Sequence, residues 1–275
     1  MIRFGLTMCC FIVSLFMGCI DLDNQLFNST QLSSYQLSNT VIPGSSRELV
    51  PMTSQGKKIY GVFIRSNGTH SDVTVLYCHG NKDNLQYYWD RAELLYKMGL
   101  NVFIFDYQGF GMSEGTTTES GLYSDGRAAL AYVRSRPDVV AANIVLYGFS
   151  LGNAVSIDLA ANVFTPKAIV AEAPFASSST LVQSGTLIDI PSSYVMKGDY
   201  NNAEKIKSVH APLLIIHGES DKFIDIDKNS GVIFTNANQP KQFVRVPGAD
   251  HSEIPAKLGE ANYINLVQQF ILKTP

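Results

Sequence analysis

Cysteine is scarce in this chain, with 4 in 275 residues. No Cys/His spacing resembles a zinc site, so neither a disulfide framework nor a structural metal is expected to hold the fold. Charge is also sparse: Asp, Glu, Lys and Arg make up 16%, the formal net charge is −3, and Lys and Arg form no run. A basic nucleic-acid surface is therefore not expected. The 45% hydrophobic content excludes a chain too polar to fold. Internal repeats at solenoid or propeller periods are missing as well. Stability must come from a core, and the length suits one large α/β domain or two small ones.

The N-terminus stands apart. Met1-Ile2-Arg3 is a short basic start, and Phe4 to Met17 is an apolar run of 14 residues. That is the length of a signal-peptide core and short for a membrane span. It ends in Leu15-Phe16-Met17-Gly18-Cys19, which resembles a bacterial lipobox, although Phe16 and Met17 are bulkier than usual there. The resemblance implies export, a cleaved signal peptide over 1–18 and lipidation of Cys19. Residues 20–46 are rich in Asn, Gln, Ser and Thr and read as a flexible polar tether, so 19–46 would join the lipid to a domain over 47–275. Cys9 and Cys10 would leave with the signal, and Cys78 would be the domain's lone cysteine.

Beyond residue 47 strands alternate with helices. Strands are expected at 58–64, 73–77, 102–105, 144–147, 168–171, 212–216 and 243–246. Helices are expected at 85–98, 120–134, after Ser150, and at 262–272. This order predicts a mostly parallel sheet covered on both faces, with ligands bound beyond the carboxyl ends of its strands.

Two stretches fit G-x-S-x-G: GMSEG at 111–115 and GFSLG at 148–152. A nucleophilic serine on a tight corner needs a strand entering and a helix leaving. GFSLG follows the apolar run Asn143 to Tyr147 and precedes Leu151, Ala154, Val155 and Leu159 at helical spacing. GMSEG leads into Thr116-Thr117-Thr118, which starts no helix, and Glu114 carries the wrong sign beside a developing oxyanion. Ser150 is thus the candidate nucleophile, and GMSEG a tight loop.

A serine needs a base, and the base a carboxylate that fixes its tautomer. His251, in the loop after the last strand, is the candidate base. His79 and His217 sit in identical His-Gly pairs at strand ends and read as local packing or capping groups. Asp221 is the preferred acid, with Asp225 its main rival and Asp227 further on; Asp250, next to the base, is expected to point elsewhere. Oxyanion donors are expected from the backbone N–H groups of Leu151 and Asn81.

These segments together resemble a serine α/β-hydrolase, and within that superfamily the BEM46-like group found beside serine aminopeptidases of the S33 and S9 types. The matching pieces are YCHGN at 77–81, FDYQGFGMSEG at 105–115, GFSLG at 148–152, EAPF at 172–175, LLIIHGESD at 213–221 and GADH at 248–251. Asn153 departs from that pattern, where a small residue is usual. The resemblance implies the α/β-hydrolase fold, a Ser-Asp-His triad, no cofactor or metal, and a small-molecule acyl ester or thioester as substrate. Residues 176–210, too long for a minimal connection, would form a short lid. Peptide hydrolysis is the main rival, with Glu172 as a possible holder of a substrate amine. A non-catalytic binding lipoprotein on the same fold is a second.

Overall fold

The computed structural model describes residues 27–185 and 198–274. The signal peptide, Cys19 and the central part of the expected lid lie outside the described residues.

The chain order is β1 (Asn28–Ser29), β2 (Arg47–Ser54), β3 (Lys57–Ile64), β4 (Thr74–Cys78), β5 (Lys82–Asp83), α1 (Trp89–Lys97), β6 (Asn101–Phe105), α2 (Glu119–Ser135), β7 (Ile144–Phe149), α3 (Gly152–Asn162) and β8 (Ala168–Glu172). There follow α4 (Ser178–Gly185), α5 (Asn202–Lys205), β9 (Leu213–Gly218), α6 (Val232–Asn236), β10 (Lys241–Val246), α7 (Ile254–Leu258) and α8 (Glu260–Lys273). Eight strands form one sheet in the order β10-β9-β8-β7-β4-β6-β3-β2. β2 and β3 pair antiparallel at one edge and β3 meets β6 antiparallel, while the other pairs are parallel. This is the mostly parallel sheet expected from the order of elements, and it is the α/β-hydrolase fold that the resemblance implies.

The parallel strands β4, β6, β7, β8 and β9 are buried on both faces, which is why they read as largely apolar runs, while the parallel edge strand β10 is mostly half-exposed. Their side chains alternate between two cores, as the period of a strand requires. Val75, Tyr77, Val102, Ile104, Val145 and Tyr147 face one core, closed by Trp89, Ala92 and Leu95 of α1 and by Val267 and Ile271 of α8. Leu76, Cys78, Phe103, Phe105, Ile144 and Leu146 face the other, closed by Leu122 and Leu130 of α2 and by Val155 and Leu159 of α3.

The expected tether requires correction. Residues 27–46 are not a free polar linker but pack along the domain. Ile42 is fully buried, and Tyr35, Leu37 and Val41 lie against the first core. β1 adds a parallel pair to β5 beside the bend that holds Asn81. The polar composition misled because this segment is held largely through its backbone N–H and C=O groups, which carry no side-chain signature.

The segment expected as a lid leaves and returns at one place. The Ser178 N–H donates to the Asp199 carbonyl at 3.0 Å. Leu181 of α4 packs into the second core.

Candidate active site

β7 ends at Phe149, α3 begins at Gly152, and Ser150 stands on the corner between them with φ +50°. A left-handed backbone at a non-glycine residue costs energy and persists only where its surroundings hold it. Here the hold comes from β8. The Ser150 N–H donates to the Glu172 carbonyl at 3.0 Å. Asn153 adds a second tie: its Nδ2 donates to the carbonyls of Ser150 at 3.0 Å and Glu172 at 2.8 Å. The residue that departs from the family pattern therefore locks the corner to the neighbouring strand. Gly152 is required for a different reason, since a Cβ there would lie 1.9 Å from the Cys78 carbonyl oxygen.

His251 reaches the corner from the loop after β10. Its Nε2 lies 2.9 Å from Ser150 Oγ and its Nδ1 lies 2.7 Å from Asp221 Oδ2. An ionised carboxylate can only accept, so Nδ1 carries the proton and Nε2 is left to accept from the serine hydroxyl. The imidazole sits between Phe149 and Phe223, each with a ring centroid 5.3 Å away.

Asp221 follows β9, and its side chain is fully buried. Burial alone would raise its pKa, but hydrogen bonds from His217 and His251 outweigh it and hold the carboxyl well below the usual carboxylate range. The His217 contact was missed in the sequence. His217 Nε2 donates to the same Oδ2 at 2.9 Å, and its Nδ1 lies 2.5 Å from Ser230 Oγ. The other oxygen, Oδ1, accepts the N–H groups of Phe223 and Ile224, both at 2.8 Å. The signal available was the four-residue spacing from His217 to Asp221 across a strand end.

The rival acids are occupied elsewhere. Asp225 Oδ1 accepts the backbone N–H groups of Asp227 and Lys228. Asp227 pairs with Arg245, and Asp250 Oδ1 accepts the N–H groups of Lys222 and His251. Leu151 is buried at the start of α3, and Asn81 is half-buried in the bend between β4 and β5.

Glu172, the possible amine holder, is fully buried. Its Oε1 accepts from Arg91 at 3.1 Å, and its Oε2 accepts the hydroxyls of Tyr147 at 2.6 Å and Tyr263 at 2.7 Å. The same Arg91 nitrogen donates to the Ser252 carbonyl at 3.0 Å. Glu172 thus ties the Ser150 corner, through its backbone, to the His251 loop, through Arg91, and has no face left for a substrate amine.

The family model for serine aminopeptidases (S33) matches residues 69–195. An uncharacterized protein of Mycobacterium tuberculosis is 32% identical over 238 residues, covering 86% of this chain and 82% of its own. The uncharacterized protein YfhR of Escherichia coli K12 is 34% identical, covering 75% and 74%. The human alpha/beta hydrolase domain-containing protein 17B is 30% identical, covering 80% and 73%. Among solved structures, an esterase of Pyrococcus furiosus superposes with a TM-score of 0.73 at 20% identity, covering 91% of this chain and 98% of that one. With the strand order, the corner serine and relatives of 30% identity or more over most of both chains all in agreement, this chain belongs to the α/β-hydrolase family.

Proposed function

We propose that this protein is a serine hydrolase that cleaves an acyl ester or thioester through an acyl-enzyme intermediate. The observation that carries the reading is the unbroken relay from Ser150 Oγ to His251 Nε2 at 2.9 Å and from His251 Nδ1 to Asp221 Oδ2 at 2.7 Å. Ser150 Oγ attacks the acyl carbon while His251 Nε2 takes its proton. Asp221 stabilises the imidazolium without taking the proton itself. The negative charge on the former carbonyl oxygen falls to the N–H groups of Leu151 and Asn81, the first at the positive end of α3. Collapse expels the alcohol or thiol, protonated by His251. Water then repeats the sequence on the acyl-enzyme and regenerates Ser150.

The sealed Glu172 favours esters over peptides, because the carboxylate offered for an amine is consumed by Arg91, Tyr147 and Tyr263. The test is a comparison of p-nitrophenyl esters of rising chain length with aminoacyl p-nitroanilides. We expect kcat/KM for esters to exceed that for the anilides by orders of magnitude. The opposite ranking would establish the peptidase reading. The segment 176–210, closed at its base by Ser178 and Asp199, serves as the lid and sets the preferred acyl length.

The same proposal makes the protein exported and lipid-anchored at Cys19. Among the described residues no helix is long and apolar enough to cross a membrane. Mass spectrometry of the mature N-terminal peptide is expected to find acyl mass on Cys19, with processing lost in Cys19→Ala. An unmodified peptide cut elsewhere would mean a plain secretory signal.

A further inference from the structure

The oxyanion donor expected at Asn81 is set by its peptide plane. A peptide unit is flat, so fixing its carbonyl fixes the direction of its N–H. The carbonyl opposite the Asn81 N–H belongs to Gly80, and it accepts from His79 Nδ1 at 2.7 Å. His79 is fully buried, with Nε2 3.1 Å from Asp106 Oδ1. Asp106, also fully buried, accepts the Leu85 N–H on Oδ1 at 2.6 Å and the Tyr35 hydroxyl on Oδ2 at 2.5 Å. On its far side, the carbonyl of Asn81 accepts the Asn28 N–H at 3.0 Å. The Asn81–Lys82 peptide is therefore tied directly to residue 28, and the Gly80–Asn81 peptide is connected to residue 35 through the close packing of His79 on Asp106, a contact that is not aligned as a hydrogen bond.

The same segment grips the flanking loops. Thr30 Oγ1 donates to Asp83 Oδ1 at 2.9 Å, and the Thr30 N–H donates to the Asp83 carbonyl at 2.8 Å. Asp83 itself holds a left-handed backbone with φ +51°, a conformation that needs such restraint. Gly111 pairs with the segment on both sides, its N–H to the Thr30 carbonyl and its carbonyl to the Leu32 N–H. A Cβ at Gly111 would lie 1.9 Å from Asp106 Oδ2 and 2.9 Å from the Tyr35 hydroxyl. The second G-x-S-x-G stretch thus supplies the opening through which Tyr35 reaches Asp106.

We propose that residues 27–36 are a strap that aims the oxyanion donor, with Tyr35 as a positioning residue acting through Asp106 and His79 on the Gly80–Asn81 peptide. The inference rests on the hydrolase reading and assigns part of that site to a segment whose composition reads as a linker.

The test uses the full chain and its Tyr35→Phe variant. Three quantities are measured: kcat and KM on a p-nitrophenyl ester, the inhibition constant of a trifluoromethyl ketone, and hydrogen exchange of residues 79–86. The ketone forms a tetrahedral adduct whose oxyanion needs the same donors. Losing a whole donor lowers kcat by about 10²–10³-fold. Misaiming one is expected to lower it by about 10–100-fold on that scale. KM should change little, the ketone should weaken by a matching factor, and exchange of 79–86 should quicken. A merely structural role would reduce the active fraction and leave the ketone's affinity for the active remainder unchanged. Asn28→Pro deletes the N–H held by the Asn81 carbonyl and provides the same readouts if Tyr35→Phe fails to fold. An active wild type with kcat and ketone affinity unchanged in a folded strap variant overturns the strap alone. A wild type that neither hydrolyses esters nor binds the ketone overturns the hydrolase reading, and the strap's catalytic role with it.

Discussion

On the proposed mechanism, Ser150→Ala is expected to abolish ester hydrolysis and fluorophosphonate labelling, with kcat falling by about 10⁶-fold, the size seen when a serine hydrolase loses its nucleophile. The substitution removes Oγ and keeps the rest of the corner. The backbone ties to Glu172 and the side-chain ties from Asn153 do not involve Oγ. Folded protein is therefore expected, and the lost activity reads as lost chemistry. Ser113→Ala is the matched control. Ser113 is buried, its Oγ donating to the Asp106 carbonyl and accepting the Tyr60 N–H, each at 3.0 Å. Its loss strands two backbone groups at a cost of roughly 1–3 kcal/mol of stability, with labelling retained. Active-site mass spectrometry of the labelled peptide decides the matter. Label persisting in folded Ser150→Ala protein refutes the assignment.

Asp221→Asn is expected to lower kcat by about 10⁴-fold, the size seen when a triad acid becomes an amide and the wrong imidazole tautomer is favoured. The local geometry gives a specific cause. Both edges of this carboxylate accept: Oδ2 from His217 and His251, Oδ1 from the N–H groups of Phe223 and Ile224. An amide has one accepting edge. Turned one way its NH₂ meets two backbone donors, and turned the other it meets two imidazoles. Asp225→Asn removes charge from a local cap where Asn serves nearly as well, so kcat should stay within a few-fold. If Asp225→Asn is the crippling change, the acid is misassigned. The pH dependence of stability supplies a second readout. The Asp221 pKa is depressed in the folded chain, so its contribution is complete above the ordinary carboxylate pKa and is lost as pH falls below it. Replacing it should flatten the acid limb of the stability curve.

How far these features could be read from the residues depended on how local their causes are. The corner at Ser150 was readable because strand, turn and helix are contiguous. Asp221 and His251 were readable because each closes a strand and the chain order is restrictive. Glu172 was not: its meaning lies in Arg91, Tyr147 and Tyr263, which are 81, 25 and 91 residues away. His217 was read as a packing group because its neighbour is a glycine at a strand end. The ring's reach back to Asp221 depends on a turn rather than on helical periodicity. The segment 27–46 was misread because polar residues that pair through their backbones look the same as polar residues that pair with water.

The position of the base late in the chain bears on how the protein is made. A chain emerging from its N-terminus can lay down the strap, β4, the serine corner and the acid well before residue 251 is synthesised. β10, which leads into the His251 loop, is an edge strand that pairs with β9, and Tyr263 of α8 closes the cluster on Glu172. Domains generally fold as units, so Ser150 gains its contact with His251 only when β10 and α8 dock. On the proposed mechanism, a chain that lacks β10 and the segment after it holds Ser150 without its proton acceptor.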